Sequence, residues 1–311
     1  MKRTILSFSI LAALGLLLCG ACERKQSVQI SLKSGAPAVE PAQPARQTPL
    51  RIGMGAMITP KDGYVYYQRL QHYIEKKLGM PVQLVDRENY DEMNSLLESG
   101  GVDAAFVCAG PYVEGKTKFG MELLAMPLVK GKPLYYSYII VPRDSPAKSL
   151  RELRGKAFAF TDPKSNSGKL VPTYMLARMK QTPESFFSRV EFTYGHDLSI
   201  RAVADKLVDG AAVDSLIWEY AALKNPELTG RTRIIEKSEP YGIPPVVVRP
   251  GMNIELKKRL KEILLSAAQD PEGKEILTGM MIDSFVAGDD RNYDTIRSMN
   301  SWVVGQQKAV Q

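Results

Sequence analysis

Apolar positions in residues 50–136 change their spacing several times. The run LRIGMGAM predicts a strand, and the apolar residues of YVYYQRLQHYIEKKLG then recur every three or four positions, as in a helix that ends at Gly79. A strand PVQLV, a helix around YDEMNSLLESG and a strand VDAAFVCAG follow. This alternation predicts an α/β fold in which helices flank a mostly parallel sheet.

The alternation returns in residues 137–241. YYSYIIVP, AFAFTDP and AAVDS read as strands, whereas GKLVPTYMLARMK and IRAVADKLVDG read as helices. After this region come a strand in IPPVVVRPG and two helical runs that form no complete α/β unit. We therefore predict a first lobe from residues 50–136 plus 242–311, a second lobe from residues 137–241, and a two-strand hinge near residues 137 and 241.

The N-terminus has the pattern of an export signal over residues 1–21. Two basic residues precede the apolar run ILSFSILAALGLLL, which is shorter than a typical transmembrane helix. The small pair before Cys22 resembles a bacterial lipobox and predicts acylation of Cys22; Cys19 departs from that pattern, so an ordinary cleaved signal stays open. Residues 22–49, rich in Ser, Ala, Pro and Gln, predict a disordered tether.

Composition and charge fit an exported globular protein. Hydrophobic residues make up 44% of the 311 residues and charged residues 24%. The net charge of +7 includes no dense Lys/Arg run, so we expect no nucleic-acid partner. Once the signal is removed and Cys22 is acylated, only Cys108 is left, and no internal disulfide can form.

The stretch FTDPKSNSGKLVP concentrates small polar side chains where a strand gives way to a helix. The first N–H groups of a helix are unpaired and lie at the positive end of its dipole, so they favour a bound anion. Ser165, Asn166 and Ser167 add hydroxyl and amide donors, and Gly168 permits close approach by the backbone. The alternative is that Ser165 or Ser167 only caps the helix.

Three segments carry a resemblance to the periplasmic phosphonate-binding family of ABC transporters. They are FTDPKSNSGKLVP, which is similar to an Asp-Pro-Asn-Ser-Thr-Ser-Gly segment followed by Val-Pro, YGHDLSIRAVADKLVDGAAVDS, and NYDEMNSLLESGGVDAAFVCAGPYV. The resemblance covers about residues 50–285. It implies a type II two-lobe fold, a phosphonate, phosphite or phosphate ligand, and an ABC transporter permease as partner. It further implies a periplasmic protein with no enzymatic activity. Together with the lipobox-like segment, it leads us to expect a lipid-anchored monomer, and the sequence has no ligand cluster for a metal and no sign of a cofactor.

Two residues of the second lobe become ligand candidates through this resemblance. His196, one of two histidines, matches the family's phosphonate-contacting histidine, and we expect it to donate a hydrogen bond and gain charge. Asp214 ends an apolar strand, the usual place of ligand groups in open α/β sheets. As a carboxylate it would accept a hydrogen bond from the protonated oxygen of an oxyanion; alternatively, it caps the next helix.

In the first lobe, Tyr64 and Tyr112 are candidates to close over the ligand, because a phenol offers a hydrogen bond and an apolar face. Two other functions stay open. An enzyme would have His196 and Asp214 as its only plausible acid–base pair. A sensory binding protein would present the same ligand to a membrane receptor instead of a permease.

Overall fold

The computed structural model describes residues 48–55 and 61–310 of the chain. The predicted signal peptide, the acylation of Cys22 and the predicted tether up to residue 47 lie outside these ranges. No helix inside them combines the length and the apolar character needed to cross a membrane.

Strands and helices are numbered in chain order. The strands are β1 Leu50–Met54, β2 Val82–Asp86, β3 Ala104–Phe106, β4 Glu122–Leu128, β5 Leu134–Tyr135, β6 Ser137–Pro142, β7 Ala157–Phe160, β8 Arg189–Phe192, β9 Gly210–Asp214, β10 Thr232–Lys237, β11 Tyr241–Gly242, β12 Val246–Val248 and β13 Ser284–Ala287. The helices are α1 Lys61–Leu78, α2 Tyr90–Ser99, α3 Ala109–Phe119, α4 Val171–Arg178, α5 Pro183–Phe186, α6 His196–Ala204, α7 Ser215–Lys224, α8 Pro226–Gly230, α9 Ile254–Ser266, α10 Pro271–Gly279 and α11 Asp294–Val310. A turn of π-helix, Asn166–Leu170, runs directly into α4.

Two larger sheets form the framework, and both are mixed. The first has the order β13-β4-β12-β3-β1-β2, and the second has the order β10-β6-β9-β7-β8. Within the described residues, parallel pairing is confined to β1 with β2 and β3 and to β7 with β8 and β9. The predicted α/β class is confirmed, but the sheets are less parallel than expected, because β6 and β12 enter antiparallel to their neighbours after each chain crossing.

The two chain crossings pair with each other in a short antiparallel ladder. Tyr135 of β5 lies opposite Tyr241 of β11, and Leu134 lies opposite Gly242. The single strand predicted in YYSYIIVP is therefore divided into β5, which belongs to this ladder, and β6, which belongs to the second sheet. Along the chain, β5 lies between β4 of the first sheet and β6 of the second, and β11 lies between β10 of the second sheet and β12 of the first.

Helices pack on these sheets through the apolar stripes that the sequence displays. In α1, the buried stripe that packs on the first sheet consists of Tyr67, Leu70, Ile74 and Leu78. The C-terminal α11, which the sequence pattern did not predict, also contacts α4, where the rings of Trp302 and Tyr174 meet edge to face at 5.1 Å. The C-terminal helix thus connects elements associated with both sheets.

Candidate functional site

Five helical segments begin at one buried place between the two sheets. Tyr90 opens α2, Cys108 precedes α3, Asn166 opens the π-turn, His196 opens α6 and Asp214 precedes α7. The side chains at this place form what we call the buried polar cluster, and none is more than 2% exposed: Tyr90, Cys108, Tyr135, Asn166, Ser167, His196 and Asp214. Several helix starts facing one volume create a region that favours negative charge.

The π-turn fixes which side chain of the polar stretch caps the helix. Ser165 Oγ accepts a hydrogen bond from the Gly168 N–H at 2.9 Å. Ser165 therefore caps the helical segment, as the alternative interpretation of the stretch predicts. The Ser167 carbonyl oxygen accepts from Ser137 Oγ at 2.6 Å, which ties the turn to β6. π-turns of this kind occur frequently at functional sites. Gly168 lies against Thr161, where a side chain would have no room.

Two buried polar atoms of the π-turn have no hydrogen-bond partner among the described residues. They are Asn166 Oδ1 and Ser167 Oγ, although Asn166 Nδ2 donates to the Tyr135 hydroxyl at 2.9 Å. An unsatisfied buried polar atom costs about 1–3 kcal/mol. The turn therefore presents one hydroxyl donor and one carbonyl acceptor side by side, a pair that suits an oxyanion with a protonated oxygen.

His196 is held as a neutral donor. Its Nδ1 accepts a hydrogen bond from the Asp214 backbone N–H at 3.0 Å, which leaves the ring proton on Nε2. Burial lowers the pKa of His196 to about 3. A second ring proton would have to displace the Asp214 N–H, so His196 is neutral in the ligand-free protein; its gain of charge on binding stays a prediction. The Nε2 atom lies 3.5 Å from the Tyr90 hydroxyl.

Asp214 combines a capping role with a place in the cluster. Its Oδ1 accepts from the Leu216 N–H at 2.7 Å and so caps α7, as the alternative interpretation predicts. Burial raises the pKa of Asp214 to about 7. Below that pH the carboxyl group carries a proton that it can donate while its other oxygen keeps the cap, and above it the carboxylate can only accept hydrogen bonds.

The opposite wall comes from elements of the first sheet. The Tyr90 N–H donates to Asp162 Oδ2 at 3.2 Å, and burial raises the pKa of the Tyr90 phenol well above its usual value. Burial also raises the pKa of the Cys108 thiol to about 11, so this side chain stays neutral. Gly110 lies close to the π-turn: a Cβ atom there would come within 2.4 Å of the Lys164 carbonyl oxygen and 3.2 Å of the Asn166 nitrogen.

The two tyrosines predicted as ligand groups lie elsewhere. Tyr112 is buried, but its hydroxyl donates to Asp290 Oδ1 at 2.6 Å, and its ring contacts Tyr293. Tyr64 is 38% exposed and lines an outer depression together with Tyr194. The tyrosines of the cluster are Tyr90 and Tyr135 instead.

Lys164, which follows Asp162 just before the π-turn, is engaged in ion pairs. Lys164 Nζ lies 2.7 Å from Glu114 Oε1 and 3.6 Å from Asp91 Oδ1, and these pairs join elements of the two sheets. The described residues include no group of three or more His, Cys, Asp or Glu side chains placed to hold a metal ion. Such a site can hold a small anion through neutral donors and helix starts.

Comparisons with known proteins give a consistent result. A family model described as "ABC transporter, phosphonate, periplasmic substrate-binding protein" matches residues 52–293. The phosphonates-binding periplasmic protein of Escherichia coli is 28% identical over 231 residues, which cover 73% of this chain and 68% of the relative. The phosphate-import protein PhnD of Mycolicibacterium smegmatis is 29% identical over 184 residues, covering 56% of this chain and 57% of the relative.

Solved structures show the same fold. A binding protein component of an ABC phosphonate transporter from Pseudomonas aeruginosa superposes with a TM-score of 0.78 at 24% identity and covers 84% of this chain and 88% of that chain. PhnD1 of Prochlorococcus marinus, solved in complex with methylphosphonate, superposes with a TM-score of 0.75 at 18% identity, covering 82% and 97%. These likenesses confirm the predicted type II two-lobe fold.

Proposed function

The chain belongs to the family of periplasmic substrate-binding proteins of phosphonate ABC transporters, and from this premise we propose that it captures a phosphorus oxyanion in the buried polar cluster. The ligand class is phosphonate, phosphite or phosphate, and the receiving partner is an ABC transporter permease. The observation that carries the proposal is the unpartnered pair of Asn166 Oδ1 and Ser167 Oγ, buried beside the neutral donor His196. Together they offer two hydrogen-bond donors for the oxygens of a protonated oxyanion and one acceptor for its proton.

Capture proceeds by closure of two lobes. Residues 50–136 plus 242–311 form the first lobe, residues 137–241 form the second, and the β5–β11 ladder is the hinge. The separate sheets support this division, and so do contacts that exist only when the lobes meet, such as Tyr90 with His196 and Lys164 with Glu114. An acylated Cys22 and the tether to residue 49 would keep the protein at the envelope, close to the permease.

The experiment that tests the function is calorimetric titration of the protein with phosphate, phosphite, methylphosphonate and sulfate. We expect the phosphorus oxyanions to bind at micromolar concentrations or below and sulfate to bind far more weakly, because sulfate has no proton to give to Asn166 Oδ1 in a hydrogen bond. Millimolar or weaker binding of all three phosphorus oxyanions would refute the proposal.

The two serines of the π-turn provide a matched pair of variants. Ser167→Ala should weaken binding by about 1.5–3 kcal/mol, the usual worth of a hydrogen bond to a charged group, and should change thermal stability little, because Ser167 Oγ has no hydrogen bond of normal geometry within the described residues. Ser165→Ala should instead destabilise the fold by about 1 kcal/mol through the lost cap. Titration and thermal unfolding of both variants check this; equal effects on affinity would contradict it.

Gly110→Ala tests closure separately from the ligand contacts. A methyl group would clash with the Lys164 carbonyl oxygen across the lobe interface, so we expect at least about a tenfold loss of affinity with an unchanged melting temperature. Small-angle scattering should show less ligand-induced compaction than in the wild type. Gly230→Ala is the control, because a Cβ atom there meets no atom within 4 Å. Wild-type affinity in Gly110→Ala would argue against closure.

A further inference from the structure

An apolar cavity adjoins the buried polar cluster. Its volume is about 80 Å³, and Asp214 lines it as well as belonging to the cluster. The other lining side chains are mostly apolar and come from both lobes: Tyr67, Phe106, Pro127, Ile217, Ile243 and Ile282. A group attached to an anion in the cluster can therefore enter this cavity past Asp214.

The size of the cavity limits what can enter. A single water needs roughly 10–15 Å³ of such space, so 80 Å³ accepts several non-hydrogen atoms, as in a short alkyl chain. Phosphate and phosphite carry no carbon substituent that could occupy the cavity. A chain of two or three carbons attached to phosphorus would fill part of it.

Both acidic side chains that line the cavity already have hydrogen-bond or ion-pair partners. Glu219 lines the cavity, but its Oε1 accepts from the Tyr138 hydroxyl at 2.8 Å and its Oε2 pairs with Lys130. Asp214 accepts hydrogen bonds from the backbone N–H groups of Leu216 and Ile217. An ammonium group entering the cavity would lose its hydration without gaining a free carboxylate, whereas an alkyl group would lose only unfavourable contact with water.

We propose that this cavity is a subsite for the carbon substituent of an organophosphonate, and that it favours short alkyl groups over amino-alkyl groups. The inference rests on the proposed function, because it needs the phosphoryl group in the buried polar cluster. It narrows the ligand class from phosphorus oxyanions in general to alkylphosphonates with two or three carbons.

The test is a titration series with phosphite, methylphosphonate, ethylphosphonate, n-propylphosphonate and 2-aminoethylphosphonate. We expect affinity to rise roughly fourfold for each methylene buried, up to the propyl compound. 2-Aminoethylphosphonate has nearly the shape of the propyl compound and should bind at least about tenfold more weakly than it does, since its ammonium group must be desolvated.

A matched pair of variants on α7 locates the effect. Leu216 lines the cavity, so Leu216→Phe should remove the gain with chain length while methylphosphonate binds as in the wild type. Leu223→Phe is the control, because Leu223 is 63% exposed on the same helix. Equal affinities along the alkyl series, or tighter binding of the amino compound, would overturn the subsite and leave the proposed function standing. Failure of every phosphorus compound to bind would refute the proposed function itself.

Discussion

Replacing His196 by alanine is expected to weaken binding of the phosphorus oxyanion by roughly 10- to 150-fold, corresponding to about 1.5–3 kcal/mol for a hydrogen bond to a charged group. The neutral ring has its proton on Nε2, on the side of the Tyr90 hydroxyl, and its Nδ1 is occupied by the Asp214 N–H. Alanine removes the donor and leaves that N–H without its acceptor. Calorimetric titration measures the loss.

Two further variants separate binding from folding. His196→Gln keeps an acceptor for the Asp214 N–H and an amide donor, so its affinity should lie between those of the wild type and His196→Ala. His72→Ala changes the other histidine, which is exposed and hydrogen-bonded only within α1, and should have no effect on binding. Wild-type affinity in a folded His196→Ala protein would exclude His196 from the site.

The protonation state of His196 adds a pH test of the same geometry. Its pKa in the folded protein, about 3, is below the ordinary value of 6.5, so the unfolded chain binds more protons as the pH falls. The contribution of His196 to folding stability is therefore complete above pH 6.5 and declines as the pH falls towards 3. Thermal unfolding between pH 7 and pH 4 should show a smaller decline for His196→Gln.

The polar stretch at residues 165–168 was predictable because its signal is local. A strand that ends in Asp-Pro and is followed by small polar residues before a helix predicts exposed N–H groups wherever the chain lies in the fold. The separate roles of Ser165 and Ser167 were not predictable. The π-turn sets the direction of each side chain, and the spacing of residues in the sequence does not show that turn.

The tyrosines show where local pattern fails. Tyr90 follows the helix cap Asn89 just beyond β2, and this position at the carboxyl end of a strand was a usable signal. Tyr135 reaches the cluster only because β5 pairs with β11, a contact between segments about a hundred residues apart. Tyr112 faces Asp290, which lies far away in sequence, so its hydroxyl could not be assigned from the helix that carries it.

Raising the pH above about 7 is expected to weaken ligand binding, by roughly tenfold per pH unit once both Asp214 and the oxyanion are ionised. Burial raises the pKa of the Asp214 carboxyl group to about 7. In the complex, Asp214 and the oxyanion share one proton. When both groups are ionised before binding, this proton must come from the solvent, so binding weakens as the pH rises. Below that pH the carboxylic acid donates to the oxyanion. Above it, two negative charges would face each other in a buried site.

Asp214→Asn isolates this effect from the titration of the ligand. The amide can keep the cap on the Leu216 N–H and donate through its nitrogen, but it has no proton to lose. With the same phosphonate and buffer series, the affinity of the wild type should therefore fall more steeply between pH 7 and pH 9 than that of the variant, by about one power of ten per pH unit.

The ligand-free wild type should also lose stability relative to Asp214→Asn as the pH rises from about 4 to 7, because the folded state holds the Asp214 proton more tightly than the unfolded chain does. Parallel pH profiles for the two proteins would mean that Asp214 only caps α7 and takes no part in binding the anion.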